Sequence, residues 1–271
     1  MEALHMEFMQ NALMAGVLAS IICGVIGTLV VVNRIVFISG GIAHASYGGV
    51  GLAFFLGLPV MPVTTVFALM TAMIMAAVTL RQRERADTVV GVLWAAGMAL
   101  GIILLDITPG YNVDLMSYLF GSILAVPRGD ILDIAGLAFL VMVLTLACYR
   151  GFLVMSVDEE FARARGVPVT LLYFLLLGMT ALSVVMVIRV VGLILVIALL
   201  TIPPYMAERR AKSLGGMMVL SSLLSVFFCV TGLWISYYLD ITSGAAIIAV
   251  ASVTFFISLL IPQRNGAVAT N

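Results

Sequence analysis

Residues 35–80 read IVFISGGIAHASYGGVGLAFFLGLPVMPVTTVFALMTAMIMAAVTL, 46 residues without one Asp, Glu, Lys or Arg. A helix needs about 20 predominantly apolar residues to cross the hydrocarbon of a bilayer, so this run holds two crossings. Pro59 and Pro62 lie near its middle, where prolines suit a turn between helices. The run therefore divides into crossings over 35–58 and 62–80. Its only side chain that can take a charge near neutral pH is His44. An imidazole against acyl chains is costly, which makes His44 a functional-site hypothesis by default.

Composition carries the same reading outward. Of 271 residues, 63% are apolar and 10% charged, with a mean hydropathy of +1.25. Soluble domains carry about 25% charged residues, so lipid is the solvent for most of this chain. The formal net charge is zero, which gives a nucleic-acid partner no electrostatic basis. Cys23, Cys148 and Cys229 sit singly in apolar runs and read as small hydrophobes rather than a disulfide framework. Residues 1–10 carry Glu2 and Glu7 and no Lys or Arg, unlike the basic start of a secretory signal.

The same length rule gives further crossings over 11–33, 88–105, 131–149, 166–188, 190–205, 214–239 and 241–262. The chain is thus expected to be an all-α integral membrane protein, one permease-like domain over 1–271 with about nine crossings. The seventh is short and ends in Pro203 and Pro204, so eight is the alternative count. Eleven of the thirteen basic residues fall on one side, namely Arg34, Arg81, Arg83, Arg85, Arg150, Arg163, Arg165, Arg209, Arg210, Lys212 and Arg264. Only Arg128 and Arg189 fall on the other. Basic loops stay cytoplasmic, which puts the N-terminus outside and the C-terminus inside. The outer segment 106–130 holds an apolar stretch, 115–126, too short to cross, and is expected to be re-entrant or to lie on the surface.

Gly40, His44 and Gly48 share one face of a continuous helix. Small residues there admit a close neighbour, so His44 should face protein or a pore. Neutral imidazole suits borderline metals; the alternative is a histidine that only bonds across a helix interface. Asp106, Asp114 and Asp240 on the outer side either draw a cation toward a pore mouth or are plain solvated loop acids. Arg189 is read as reaching from a tight outer turn to the interface. On the inner side, 157–166 reads VDEEFARARG. Acids first, bases last and a Gly stop are the order of a short capped helix, suited to a cytoplasmic partner or to a simple connector. There is no GxxxxGK[ST], HExxH or Ser/His/Asp arrangement.

Several of these segments together resemble the permeases of the zinc, manganese and iron ABC importers, over nearly the whole chain. They are ISGGIAHA at 38–45, YLFGSILAV at 118–126, the pattern of Asp158, Glu160, Ala162 and Gly166, and VGLILVIALL at 191–200 followed by Pro203. The resemblance implies the fold of the cobalamin and siderophore permeases less one N-terminal helix, in a homodimer in the bacterial or archaeal cytoplasmic membrane. Two cytoplasmic ATP-binding subunits would dock on 158–166, and an external solute-binding protein would deliver Zn2+, Mn2+ or Fe2+ for alternating-access transport. The chain would have no enzymatic activity and no cofactor of its own, ATP being bound by the partner subunit. The family usually has an Asp four residues before the His; here that position is Gly40. A permease for a metal chelate of the same fold, an ion-coupled secondary transporter and a membrane-embedded enzyme are the competing readings. The secondary transporter requires mid-membrane acids that the sequence lacks.

Overall fold

The computed structural model describes residues 6–82, 85–109, 121 and 123–260. Asp114, most of the stretch 115–126, Arg83 and Arg264 lie outside the described residues, as do the last two positions of the 241–262 crossing. All regular structure among the described residues is helical. The helices are α1 (Glu7–Val32), α2 (Val36–Ala45), α3 (Tyr47–Leu56), α4 (Val60–Arg81), α5 (Ala86–Asp106) and α6 (Arg128–Ala147). They continue as α7 (Tyr149–Val157), α8 (Glu159–Ala164), α9 (Val169–Val191), α10 (Leu193–Glu208), α11 (Leu214–Leu239) and α12 (Ser243–Leu260).

Seven of these, α1, α4, α5, α6, α9, α11 and α12, have the length and hydropathy to cross a membrane, and α10 is a shorter apolar helix. The burial pattern fixes the centre. In its most apolar window α1 is 72% buried and α9 61%, against 22% for α5. Helix α1 packs on α6, α9, α10 and α11, while α5 packs on α2, α3 and α4 and turns its other face outward. Close approach is built from small residues. The Gly97 backbone meets Ala45, and Gly51 faces Gly101 across the α3–α5 contact.

The run 35–58 is not one helix. It breaks at Ser46 into α2 and α3, where the Ser46 hydroxyl donates to the Ala43 carbonyl at 2.6 Å. A hydroxyl that takes a backbone acceptor inside a helix competes with the backbone ladder there. The second half stops at Gly57, left-handed at φ 66°. Pro62 is no part of the turn; it lies in the first turn of α4, where a missing N–H costs nothing. Pro203 and Pro204 likewise do not end a helix at 205. They lie inside α10, which runs on to Glu208. Beside that interruption stands Gly27 of α1, whose absent side chain leaves room for Pro204 and the Leu200 carbonyl.

Polar contacts pair the helix ends. At one end Glu7 pairs with Arg128 at 2.9 Å, Asp130 with Arg189 at 3.0 Å, and the Asn11 amide donates to the Val126 carbonyl. At the other, Asn33 donates to the Ser156 hydroxyl, Gly215 N–H to the Tyr149 hydroxyl and Arg209 to the Ser258 carbonyl. The start of α1 and the end of α12 thus belong to different sets.

Candidate functional site

His44 is the penultimate residue of α2, two residues before the break at Ser46. Its ring stacks on Trp94 of α5, with centroids 4.1 Å apart and planes 12° from parallel. Trp94 in turn donates its indole N–H to the Met98 sulfur at 3.2 Å and lies 6.0 Å from Phe37. The α2–α5 contact around this stack includes Gly41, which seats on Val90 of α5, and Ala45, which meets Gly97. Among the described residues, the His44 Nδ1 is buried without a hydrogen-bond partner. The break puts Gly48 on α3, so the face expected to hold Gly40, His44 and Gly48 together is divided between two helices. Gly48 makes the close contact, against Gly97 and Phe67, whereas Gly40 has open space where its side chain would project.

Among the described residues no group of three or more His, Cys, Asp and Glu side chains comes together. Asp106 closes α5 and Asp240 caps α11 in a left-handed conformation, φ 52°; both are exposed. Among the described residues, the acids that form ion pairs at their end of the bundle are Glu7 and Asp130. In the sequence their signal is indirect: Arg128 and Arg189, the two basic residues set apart from the rest, are the ones in need of partners. Arg189 therefore pairs with Asp130 instead of merely reaching for the interface. The described end of the 106–130 segment is tucked inward, with Ile123 buried near Gly16 of α1. Gly121, at φ 61°, lies against the backbone of Val191 and Gly192 where α9 gives way to α10.

The segment 157–166 forms the short helix α8. The Asp158 carboxylate caps it by accepting from Phe161 N–H at 2.9 Å, and Arg163 pairs with Glu159 one turn earlier at 2.8 Å. Gly166, left-handed at φ 78°, closes it with its N–H on the Arg163 carbonyl, and Val167 N–H reaches Ala162. Ala162 is fully buried and pins α8 between α7 and α9. Glu160 and Phe161 face outward, Phe161 half-exposed beneath the Arg165 guanidinium. An open cleft of about 600 Å³ runs beside it, lined by Arg163, Gly166, Val167, Pro168, Thr170 and Phe174 among others.

Residues 5–262 match the family model described as "ABC 3 transport family". The chain belongs to this family. It is 48% identical over 258 residues to an uncharacterized membrane protein of Synechocystis sp., covering 95% of this chain and 92% of that one. It is 32% identical over 265 residues to the manganese transport system membrane protein MntC of Halalkalibacterium halodurans, covering 98% and 91%. Among solved structures it matches a chain of PsaBC from Streptococcus pneumoniae in complex with Fab, with a TM-score of 0.87, 32% identity and coverage of 97% and 96%. An ABC transporter chain solved in an inward-facing conformation shares the fold, at a TM-score of 0.73 and 16% identity. The chain is a multi-pass membrane protein of the ABC permease type.

Proposed function

We propose that this chain is the membrane-spanning subunit of an ATP-driven importer of a divalent transition-metal ion. The observation that carries the reading is the family match over nearly the whole chain, joined to relatives bearing manganese transport names. Manganese is accordingly the first candidate, with zinc and iron the other two.

In this reading the unit is a homodimer with nine crossings, α2 and α3 together making the second and α10 the seventh. The N-terminus lies outside and the C-terminus in the cytoplasm. The opposed sets of end contacts support that sidedness, since Arg34, Arg150, Arg209, Arg210 and Lys212 adjoin the set that includes Ser258. Two cytoplasmic ATP-binding subunits dock on Asp158, Glu160, Ala162 and Gly166. The outward Glu160 and Phe161, on a helix pinned from behind by Ala162, support this docking. An external solute-binding protein delivers the ion, Asp106, Asp114 and Asp240 draw it to the outer mouth, and alternating access carries it past His44. A single imidazole with no carboxylate at Gly40 makes a weak ligand set, which suits transit better than storage.

Co-expression with the ATP-binding subunits, followed by uptake of manganese, zinc and iron by wild type and His44→Ala, tests the reading. Metal uptake that His44→Ala cuts at least tenfold is the expected result. Uptake unchanged by His44→Ala removes His44 from the pathway.

A further inference from the structure

A histidine that binds a metal through one ring nitrogen ordinarily donates its other N–H to a carboxylate or carbonyl, which fixes the ring. His44 has no such partner among the described residues. Its Nδ1 is buried and without a hydrogen bond, so Nε2 is the nitrogen a ligand can reach. What holds the ring is the face-to-face stack on Trp94, 4.1 Å between centroids and 12° from parallel. Offset face-to-face contact is a favoured aromatic geometry, and a parallel neighbour resists rotation of the imidazole about its bond to Cβ.

The indole is itself braced. Its N–H is committed to Met98 one turn along α5, and Phe37, two turns before His44 on α2, leans on it at 6.0 Å. Among the described residues, the glycine about one turn before each ring faces open space. A side-chain carbon at Gly40, one turn before His44, would have no heavy atom within 4 Å, and neither would one at Gly91 on α5. The aromatic bracket therefore stands next to unfilled space on α2 and α5.

We propose that Trp94 is the positioning residue for His44. By stacking on the imidazole it supplies the orientation that a hydrogen-bonded acid or carbonyl would otherwise give, and it presents Nε2 to the passing divalent ion beside Gly40. The inference rests on His44 lying on the ion's path. It assigns Trp94 no contact with the ion.

The chain has two tryptophans, Trp94 and Trp234, which allows an optical test. In a Trp234→Phe background of the assembled complex, Co2+ is titrated against the part of the fluorescence that Trp94→Phe removes, for His44 intact and for His44→Ala. Saturable quenching that vanishes in His44→Ala is expected, because a d-block ion on His44 would sit close to the indole. In parallel, manganese uptake is measured for Trp94→Ala, Trp94→Phe, His44→Ala and the Trp94→Ala/His44→Ala pair, with assembly and melting temperature as folding controls. Trp94→Ala should raise the uptake KM about tenfold or more, the scale of losing an orienting partner of a metal ligand. Trp94→Phe, which keeps a stacking face, should recover most of it, and Trp94→Ala should add nothing once His44 is gone.

Wild-type KM in Trp94→Ala while His44→Ala is impaired overturns the role of Trp94 and leaves the pathway through His44 intact. Additive losses in the double variant also overturn it. Normal uptake in His44→Ala removes the pathway reading, and the inference with it.

Discussion

At the scale of single residues, the backbone at Gly192 is a demanding point in the fold. With φ 85° and ψ 162° it occupies a region essentially closed to residues with a Cβ, at a cost of order 1–3 kcal/mol for any other side chain. Gly192→Ala should therefore lower the melting temperature of the detergent-purified protein. The exposed helical Gly136, with no heavy atom near its missing side chain, is the control, and Gly136→Ala should leave the melting temperature unchanged or slightly raised. Equal behaviour of the two would mean that the α9–α10 junction is not so constrained. His44 was legible from the sequence because one side chain that can charge near neutral pH stood in 46 otherwise uncharged residues. Its partner was not. Trp94 is a lone aromatic on another helix, and close packing of α2 on α5, Gly41 against Val90 and Gly97 against Ala45, brings the two rings together.

At the scale of elements, α8 was readable to within two residues, because acids, bases and a glycine stop occur in the order a short helix requires. A helix of six residues is marginal alone, so its cap matters. Asp158→Ala removes the one side chain that satisfies a first-turn N–H, a loss of about 1 kcal/mol. Amide exchange across 159–164 should speed up while exchange in α9 stays as it was. Glu160→Lys leaves the helix intact, since Glu159 and not Glu160 pairs with Arg163, but reverses charge on the outward face. It should abolish stimulation of the partner ATPase without lowering the permease melting temperature; full stimulation would remove Glu160 from the docking surface. The break at Ser46 was hidden from the sequence. Serine is common enough in membrane helices that nothing in the run 35–58 says its hydroxyl will take the Ala43 carbonyl. The prolines misled in the opposite direction. Pro62 is harmless in a first turn, and Pro203–Pro204 are absorbed where Gly27 of the neighbouring helix makes room.

At the scale of the whole molecule, composition was enough for membrane residence, and run lengths located most of the long helices. Burial order was not legible, because central α1 and peripheral α5 are almost equally apolar, with hydropathies of 2.5 and 2.3. Sidedness is directly testable. On a cysteine-less background, Glu160→Cys and Asp240→Cys, both exposed positions, should label with an impermeant maleimide only in inverted vesicles and only in intact cells, respectively. Labelling of both from one side would overturn the assigned topology. The central claim is metal import, and its most direct measurement is ATP-dependent accumulation of Mn2+, Zn2+ and Fe2+ in proteoliposomes. These would hold the permease with its two ATP-binding subunits, supplied with the loaded solute-binding protein. Accumulation of Mn2+ that requires ATP and falls at least tenfold in His44→Ala is the predicted result; an assembled, ATP-hydrolysing complex that accumulates none of the three ions would contradict it.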